Sequence, residues 1–164
     1  MLSQKQQNIH TNIYLLLHNI RSTHNVGAIL RTADATGVKK VYFSGYTPAP
    51  IDRFGRARPD ISKASLGAEK TVAWEVVVDP IKLIKELKKE KVQIVAVEQD
   101  KKSIDFRKLK PSKDILIIMG NEVDGVDRET LGVCDVIVEL PMLGQKESLN
   151  VSVAAGIVLY SLVK

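Results

Sequence analysis

Ile115-Leu-Ile-Ile-Met-Gly-Asn-Glu-Val-Asp-Gly125 joins a run of five apolar residues to a short loop of glycines, acids and an amide. A continuously apolar, Ile-rich run of this length reads as a strand covered on both faces, the habit of parallel sheets. Similar runs lie at Ile13–Leu17, Lys40–Phe43, Trp74–Val78, Val92–Val97 and Val136–Leu140. Helical patterns alternate with them. In Val26–Thr36, the residues Val26, Ile29, Leu30 and Ala33 make one apolar stripe, and Arg31 points away from it toward the mouth of the sheet. In Asp79–Glu90, Asp79 is a good N-cap, Pro80 suits the first helical position, and Ile81, Ile84 and Leu87 face inward; its lysines read as a solvated face. Leu149–Leu162 is apolar nearly all round, which predicts burial, with Ser148 as its cap. Its small residues, Ser152, Ala154, Ala155 and Gly156, permit close packing within the subunit or across a dimer. The expected class is α/β, a largely parallel sheet between helices.

Ligands of such sheets bind at the carboxyl ends of the strands. Three polar, glycine-bearing loops fall there: Asn19–Arg31, Gly120–Gly125 and Pro141–Asn150. The first holds Arg21, Asn25 and Arg31. Asn25 is placed to cap the helix carrying Arg31, and Gly27 lets another backbone approach closely. Two guanidiniums and an amide suit a phosphodiester, because the planar fork matches phosphate oxygens. In the second loop, Glu122 is expected to pair with an arginine of the first and fix its rotamer. The third offers apolar Leu140, Met142 and Leu149 beside backbone amides, a setting for a flat neutral heterocycle such as adenine.

Other chemistries find little support. No Gly-x-Gly-x-x-Gly follows a strand, and Gly120–Gly125 continues as Val126-Asp127 where a P-loop needs Lys-Ser/Thr. Glu122, Asp124 and Asp127 match no calcium loop, and His10, His18 and His24 lack metal spacing; His24 reads as an exposed loop residue. No metal is expected. The single cysteine, Cys134, excludes an intrachain disulfide and suits a reducing cytosol, so a cytoplasmic location is expected. No apolar run reaches the ~18 residues that span a bilayer, and no membrane partner is expected.

The 164 residues, 45% hydrophobic and 26% charged, predict one domain over 1–164, with 1–12 as a short polar extension too small to be a separate RNA-binding domain. A net charge of +5 leans toward polyanions. The long irregular stretch Gly45–Ser62, with Tyr46, three prolines and the cations Arg53, Arg56 and Arg58, reads as a functional loop contacting phosphates.

At the three loops the chain closely resembles the SpoU–TrmH family of RNA ribose 2′-O-methyltransferases, in the SPOUT class. The matching segments are Asn19–Ala33, Ile117–Gly125 and Val138–Ser152, in order, and the resemblance covers about residues 13–162. It implies catalytic roles for Arg31, Asn25, Glu122, Ser148 and Asn150. It implies an S-adenosylmethionine pocket near Val97, Gly120, Leu140, Met142 and Leu149, with S-adenosylhomocysteine as product. It also implies an RNA substrate (tRNA or rRNA), a homodimer with an active site shared between subunits, and a deep trefoil knot near the C-terminus. A knot departs from the general rule that chains do not thread loops. The family's account makes Arg31 the general base, which sits awkwardly with a guanidinium's persistent protonation. Desolvation beside another cation, or a grip on the 3′-phosphate with a late proton transfer, are the two alternatives. Glu122 reads as an orienting group. Without an appended domain, target choice would rest on the sheet edge, Arg53–Arg58, Arg21 and the N-terminus. The competing readings are a catalytically silent RNA-binding or assembly factor, and base methylation on the same fold.

Overall fold

The computed structural model describes residues 11–111 and 113–163. Most of the expected N-terminal extension, with His10, lies outside the described residues.

Seven parallel strands form one sheet in the order β3-β2-β1-β6-β4-β7-β5. They are β1 (Ile13–His18), β2 (Lys40–Ser44), β3 (Trp74–Val77), β4 (Gln93–Val97), β5 (Ile104–Asp105), β6 (Ile115–Met119) and β7 (Val136–Glu139). The six apolar runs all become strands, within a residue or two at their ends. The additional strand, β5, is a two-residue edge pairing of Ile104 with Val138 and Asp105 with Glu139. Two residues carry no periodicity, so no sequence pattern marks it.

The sheet is packed on both faces. Leu15, Leu17, Ile115, Ile117 and Met119 belong to one buried cluster; Leu16, Leu116 and Ile118, alternating with them, belong to the other. That alternation is the reason β6 is apolar at every position. The first face is covered by α1 (Thr23–Ala35), α2 (Pro59–Ser65), α3 (Ala68–Thr71) and α6 (Val151–Leu162). The second carries α4 (Pro80–Lys89), with Ile84 and Leu87 buried, and Leu131 of α5 (Arg128–Gly132). In α4, Asp79 accepts from Lys82 N at 2.9 Å and Pro80 is the first helical residue.

Gly27 of α1 permits the predicted close approach: a Cβ there would lie 2.5 Å from Ala64 Cβ and 2.7 Å from Ile61 O of α2. The stripe Val26, Ile29, Leu30 and Ala33 is buried.

Several expectations are corrected. The first helix begins at Thr23, so His24 is an exposed helical residue rather than a loop residue. Its cap is Ser22, whose side chain accepts from Asn25 N, not Asn25. The last helix begins at Val151 and is capped by Asn150, not Ser148. Nor is it buried all round: Val151, Ala155, Val158 and Leu159 are buried, but Val153, Ile157 and Tyr160 are exposed. The stretch Gly45–Ser62 is not wholly irregular, since α2 begins at Pro59, where proline suits the helix start. Within 45–58 the chain is ordered by a bridge between Ile51 and Ala57 and by Asp52, which accepts from Phe54 N, Arg56 N and Arg56 Nε.

Candidate active site

The loops after β1, β6 and β7 meet, and side chains from all three join in one relay. Glu122, two residues past the glycine that ends the β6 run, accepts from Arg21 N at 3.0 Å and Ser22 N at 3.1 Å. Its Oε1 also accepts from Asn25 Nδ2 at 3.1 Å. Asn25 Oδ1 in turn accepts from Asn150 Nδ2 at 3.2 Å. Asn150 closes the relay by capping α6, its Oδ1 accepting from Ser152 N at 2.8 Å and from Ser152 Oγ at 2.6 Å. The amide orientations are mutually required. A carboxylate only accepts, so Asn25 must turn its nitrogen to Glu122 and its oxygen to Asn150.

The expected pairing of Glu122 with an arginine side chain is therefore replaced by contacts to main-chain N–H groups. Burial acts to raise the Glu122 pKa, but the donors from Arg21, Ser22 and Asn25 overcome it and hold the carboxyl below its ordinary value. A carboxylate so engaged is a weak proton acceptor and a good anchor for the loop that leads into α1.

The second loop is tight by construction. Asn121 and Gly125 exchange backbone hydrogen bonds at 3.0 Å each way, and Gly125 adopts φ +70°. A Cβ on Gly120 would sit 2.4 Å from the Gly125 carbonyl carbon, so only glycine fits. Asn121 Oδ1 accepts from Val123 N and Asp124 N, and its Nδ2 donates to Asn19 O and to the Tyr46 hydroxyl.

Two adjoining arms of a crevice open beside the relay, with volumes of about 290 and 180 Å³. Leu140 and Met142 line the larger, Gly120 the smaller, and Val97, Ser148 and Leu149 both. Two residues the sequence reading passed over organise this crevice. Glu98 accepts from Val126 N at 2.8 Å and so fixes the second loop; Gln99 Nε2 donates to Glu147 O at 2.7 Å and so fixes the third. The signal was present, since both are polar residues directly after the buried run of β4.

The arginines behave differently from one another. Arg31 is exposed, and six residues beyond Asn25 it lies roughly 240° around the helix from it. The grouping of Arg21, Asn25 and Arg31 into one grip is thus not what a single chain shows: Asn25 is buried in the relay, and both guanidiniums face solvent. Arg31 is next to Thr32, which packs against Gly156 of α6, so it borders that helix. Arg56 pairs with Asp52 at 2.9 Å, and Arg53 and Arg56 flank the exposed ring of Phe54, 4.8 and 5.1 Å from its centroid. Arg58 is half-buried at the start of α2. Asp127 caps α5 and pairs with His18 at 3.2 Å.

A sequence model of the SpoU rRNA Methylase family matches residues 12–160. The chain belongs to this family. Over 147 residues it is 38% identical to the 23S rRNA (guanosine-2′-O-)-methyltransferase RlmB of Neisseria meningitidis serogroup B, covering 90% of this chain and 56% of that one. Over 142 residues it is 36% identical to the tRNA (guanosine(18)-2′-O)-methyltransferase of Aquifex aeolicus, covering 87% and 64%. The chain thus spans somewhat over half the length of these SpoU relatives. The A. aeolicus TrmH/SpoU tRNA modifying enzyme superposes with a TM-score of 0.81 at 33% identity, covering 93% of this chain and 74% of that one. An AdoMet-bound rRNA methyltransferase from Sinorhizobium meliloti gives 0.81 at 28% identity, covering 92% and 55%. Among the described residues no helix is long and apolar enough to cross a membrane.

Proposed function

We propose that this SpoU-family chain transfers a methyl group from S-adenosylmethionine to a ribose 2′-hydroxyl of tRNA or rRNA. The observation that carries the reading is the Glu122–Asn25–Asn150 relay, which unites three loops around a crevice of fitting chemistry. Apolar Val97, Leu140, Met142 and Leu149 offer walls for an adenine, and the closely packed backbone at Gly120 offers a floor. The methyl donors and RNA classes named for the relatives point the same way.

The sulfonium supplies an activated methyl group. The chain's task is then alignment of a sugar oxygen and removal of one proton, and alignment alone can contribute several kcal/mol. Glu122, Asn25 and Asn150 are positioning residues that hold the loops in register. Ser148, exposed on the rim of both arms, contacts the reacting groups. Arg31 grips the phosphate beside the target ribose; Arg21, Arg53, Arg56 and Arg58 contact RNA phosphates further out. Arg31 faces solvent roughly 240° around α1 from Asn25, and its neighbour Thr32 lies against Gly156 of α6. We therefore take the working form to be a homodimer docked through α6, with Arg31 serving a site completed by the partner. The knot expected near the C-terminus and a cytoplasmic location belong to the same reading.

Arg31→Ala should abolish methyl transfer to RNA while S-adenosylhomocysteine still raises the melting temperature, as a ligand of the folded state does. Retained turnover would refute the role of Arg31. Absence of any thermal shift in the wild type at saturating ligand would favour the silent RNA-binding factor. Nuclease digestion and mass spectrometry of the product separate ribose from base methylation.

A further inference from the structure

Tyr46 is hydrogen-bonded to Asn121, a residue of the crevice wall, and keeps more than half of its surface, 57%, open to solvent. An exposed ring is ordinarily free to swing, but this one is held at both ends. Its hydroxyl accepts from Asn121 Nδ2 at 2.9 Å, and its backbone N–H donates to Asn19 Oδ1 at 3.3 Å. The flanking chain is fixed too. Gly45 takes φ +62°, and a Cβ there would collide with the Asn19 side chain at 1.8 Å. On the other side, Thr47 Oγ1 donates to Leu17 O and accepts from Ile20 N. Asn121, the residue that holds the hydroxyl, is buried and lines the smaller arm of the crevice between Gly120 and Glu122. The ring is thus one hydrogen bond from the cavity wall, at the carboxyl end of β2, with the exposed Arg21 on the neighbouring loop.

Resting on the proposed RNA methyl transfer, we infer that Tyr46 is the stacking platform for the nucleobase of the methylated nucleotide. A ribose whose hydroxyl must reach a donor inside a protein crevice has to leave its helical stack, and the displaced base then needs another π surface. A ring already immobilised supplies one with little further entropy to lose. Stacking discriminates weakly among bases, since every base presents a π face, so Tyr46 places the nucleotide and leaves its identity to be read elsewhere.

The test uses the full chain, labelled S-adenosylmethionine, and total RNA from cells deleted for this gene. Tyr46→Leu should raise KM for RNA roughly 10-fold or more, whereas Tyr46→Phe, which keeps the ring, should stay within about 3-fold of wild type. Both should bind S-adenosylhomocysteine as the wild type does, which also reports that they fold. Because a variant can fail to fold, the wild type is also irradiated with single-stranded RNA carrying iodouridine, which crosslinks to rings it stacks on. An adduct on Tyr46 is expected. An unchanged KM in Tyr46→Leu, or adducts that avoid Tyr46, overturns the inference while leaving methyl transfer intact. Failure of the wild type to methylate this RNA at all removes the underlying reading and the inference with it.

Discussion

A carboxamide offers two donors and two lone pairs, and Asn25 uses both ends to join loops 97 and 125 residues distant in sequence. Its consequences are testable at single-residue resolution. Asn25→Ala strips a buried donor and acceptor from their partners and should cost about 2 kcal/mol in urea denaturation. Asn25→Asp should cost more, because it sets a carboxylate against Glu122; an Asp variant as stable as the wild type would contradict the relay. Glu122 sets a pH dependence. Its folded pKa is depressed, so its contribution is complete above the ordinary value near 4.5 and is lost as pH falls through the lower folded value. Acid melting should therefore be less steep in Glu122→Gln than in wild type over that window. Cys134 lies at the opposite extreme: burial pushes its thiol up to about 12, so it should resist alkylation at neutral pH.

At the scale of elements, strands were more legible than helix ends. The continuous runs of β1, β4 and β6 required cover on both faces, and alternating clusters supply it. Caps were less legible because the sequence offers competitors. Ser22 and Asn25 lie three residues apart, and Ser148 and Asn150 two; each is a cap-forming type. Tertiary demand decided between them: Asn25 is drawn to Glu122, which leaves Ser22 to cap α1, and Asn150 caps α6 while reaching Asn25. Close packing of α1 on α2 gives a matched pair of glycine tests. Gly27→Val should destabilise by about 2 kcal/mol or more through overpacking against Ala64. Gly132→Ala, with nothing within 4 Å of the added carbon, should be neutral or slightly stabilising in α5. Thermal melts of the two check this, and equal effects would mean that the α1–α2 contact is not close.

For the whole molecule, the all-parallel sheet in the order β3-β2-β1-β6-β4-β7-β5 makes long-range pairings obligatory, since β1 must find β6 about a hundred residues away. Loop closure precedes any reward, so refolding from denaturant should take on the order of seconds or longer; completion within about a millisecond would contradict this. The apolar face of α6 is the other global feature. Val153, Ile157 and Tyr160 together form an exposed stripe on a helix otherwise packed into the core. On the proposed docking through α6, the wild type should sediment as a dimer and Ile157→Glu as a monomer with lowered methyl transfer; a variant of unchanged mass and activity would exclude α6 as the docking face.

The sequence alone determined the class of fold and marked the three loops of the candidate site, because apolar runs that must be covered twice and polar loops at their ends are local properties of the chain. It also held every residue of the relay within its three motifs. What it did not contain was the pairing. Glu122 was expected to meet a guanidinium and instead accepts from main-chain N–H groups, and Arg31 was expected beside Asn25 but lies far around the same helix. Such choices depend on which groups folding leaves buried without water: a donor orphaned at the start of a helix must find an acceptor, while an exposed guanidinium need not. Only the packed structure settles that competition, because burial is a property of the whole molecule.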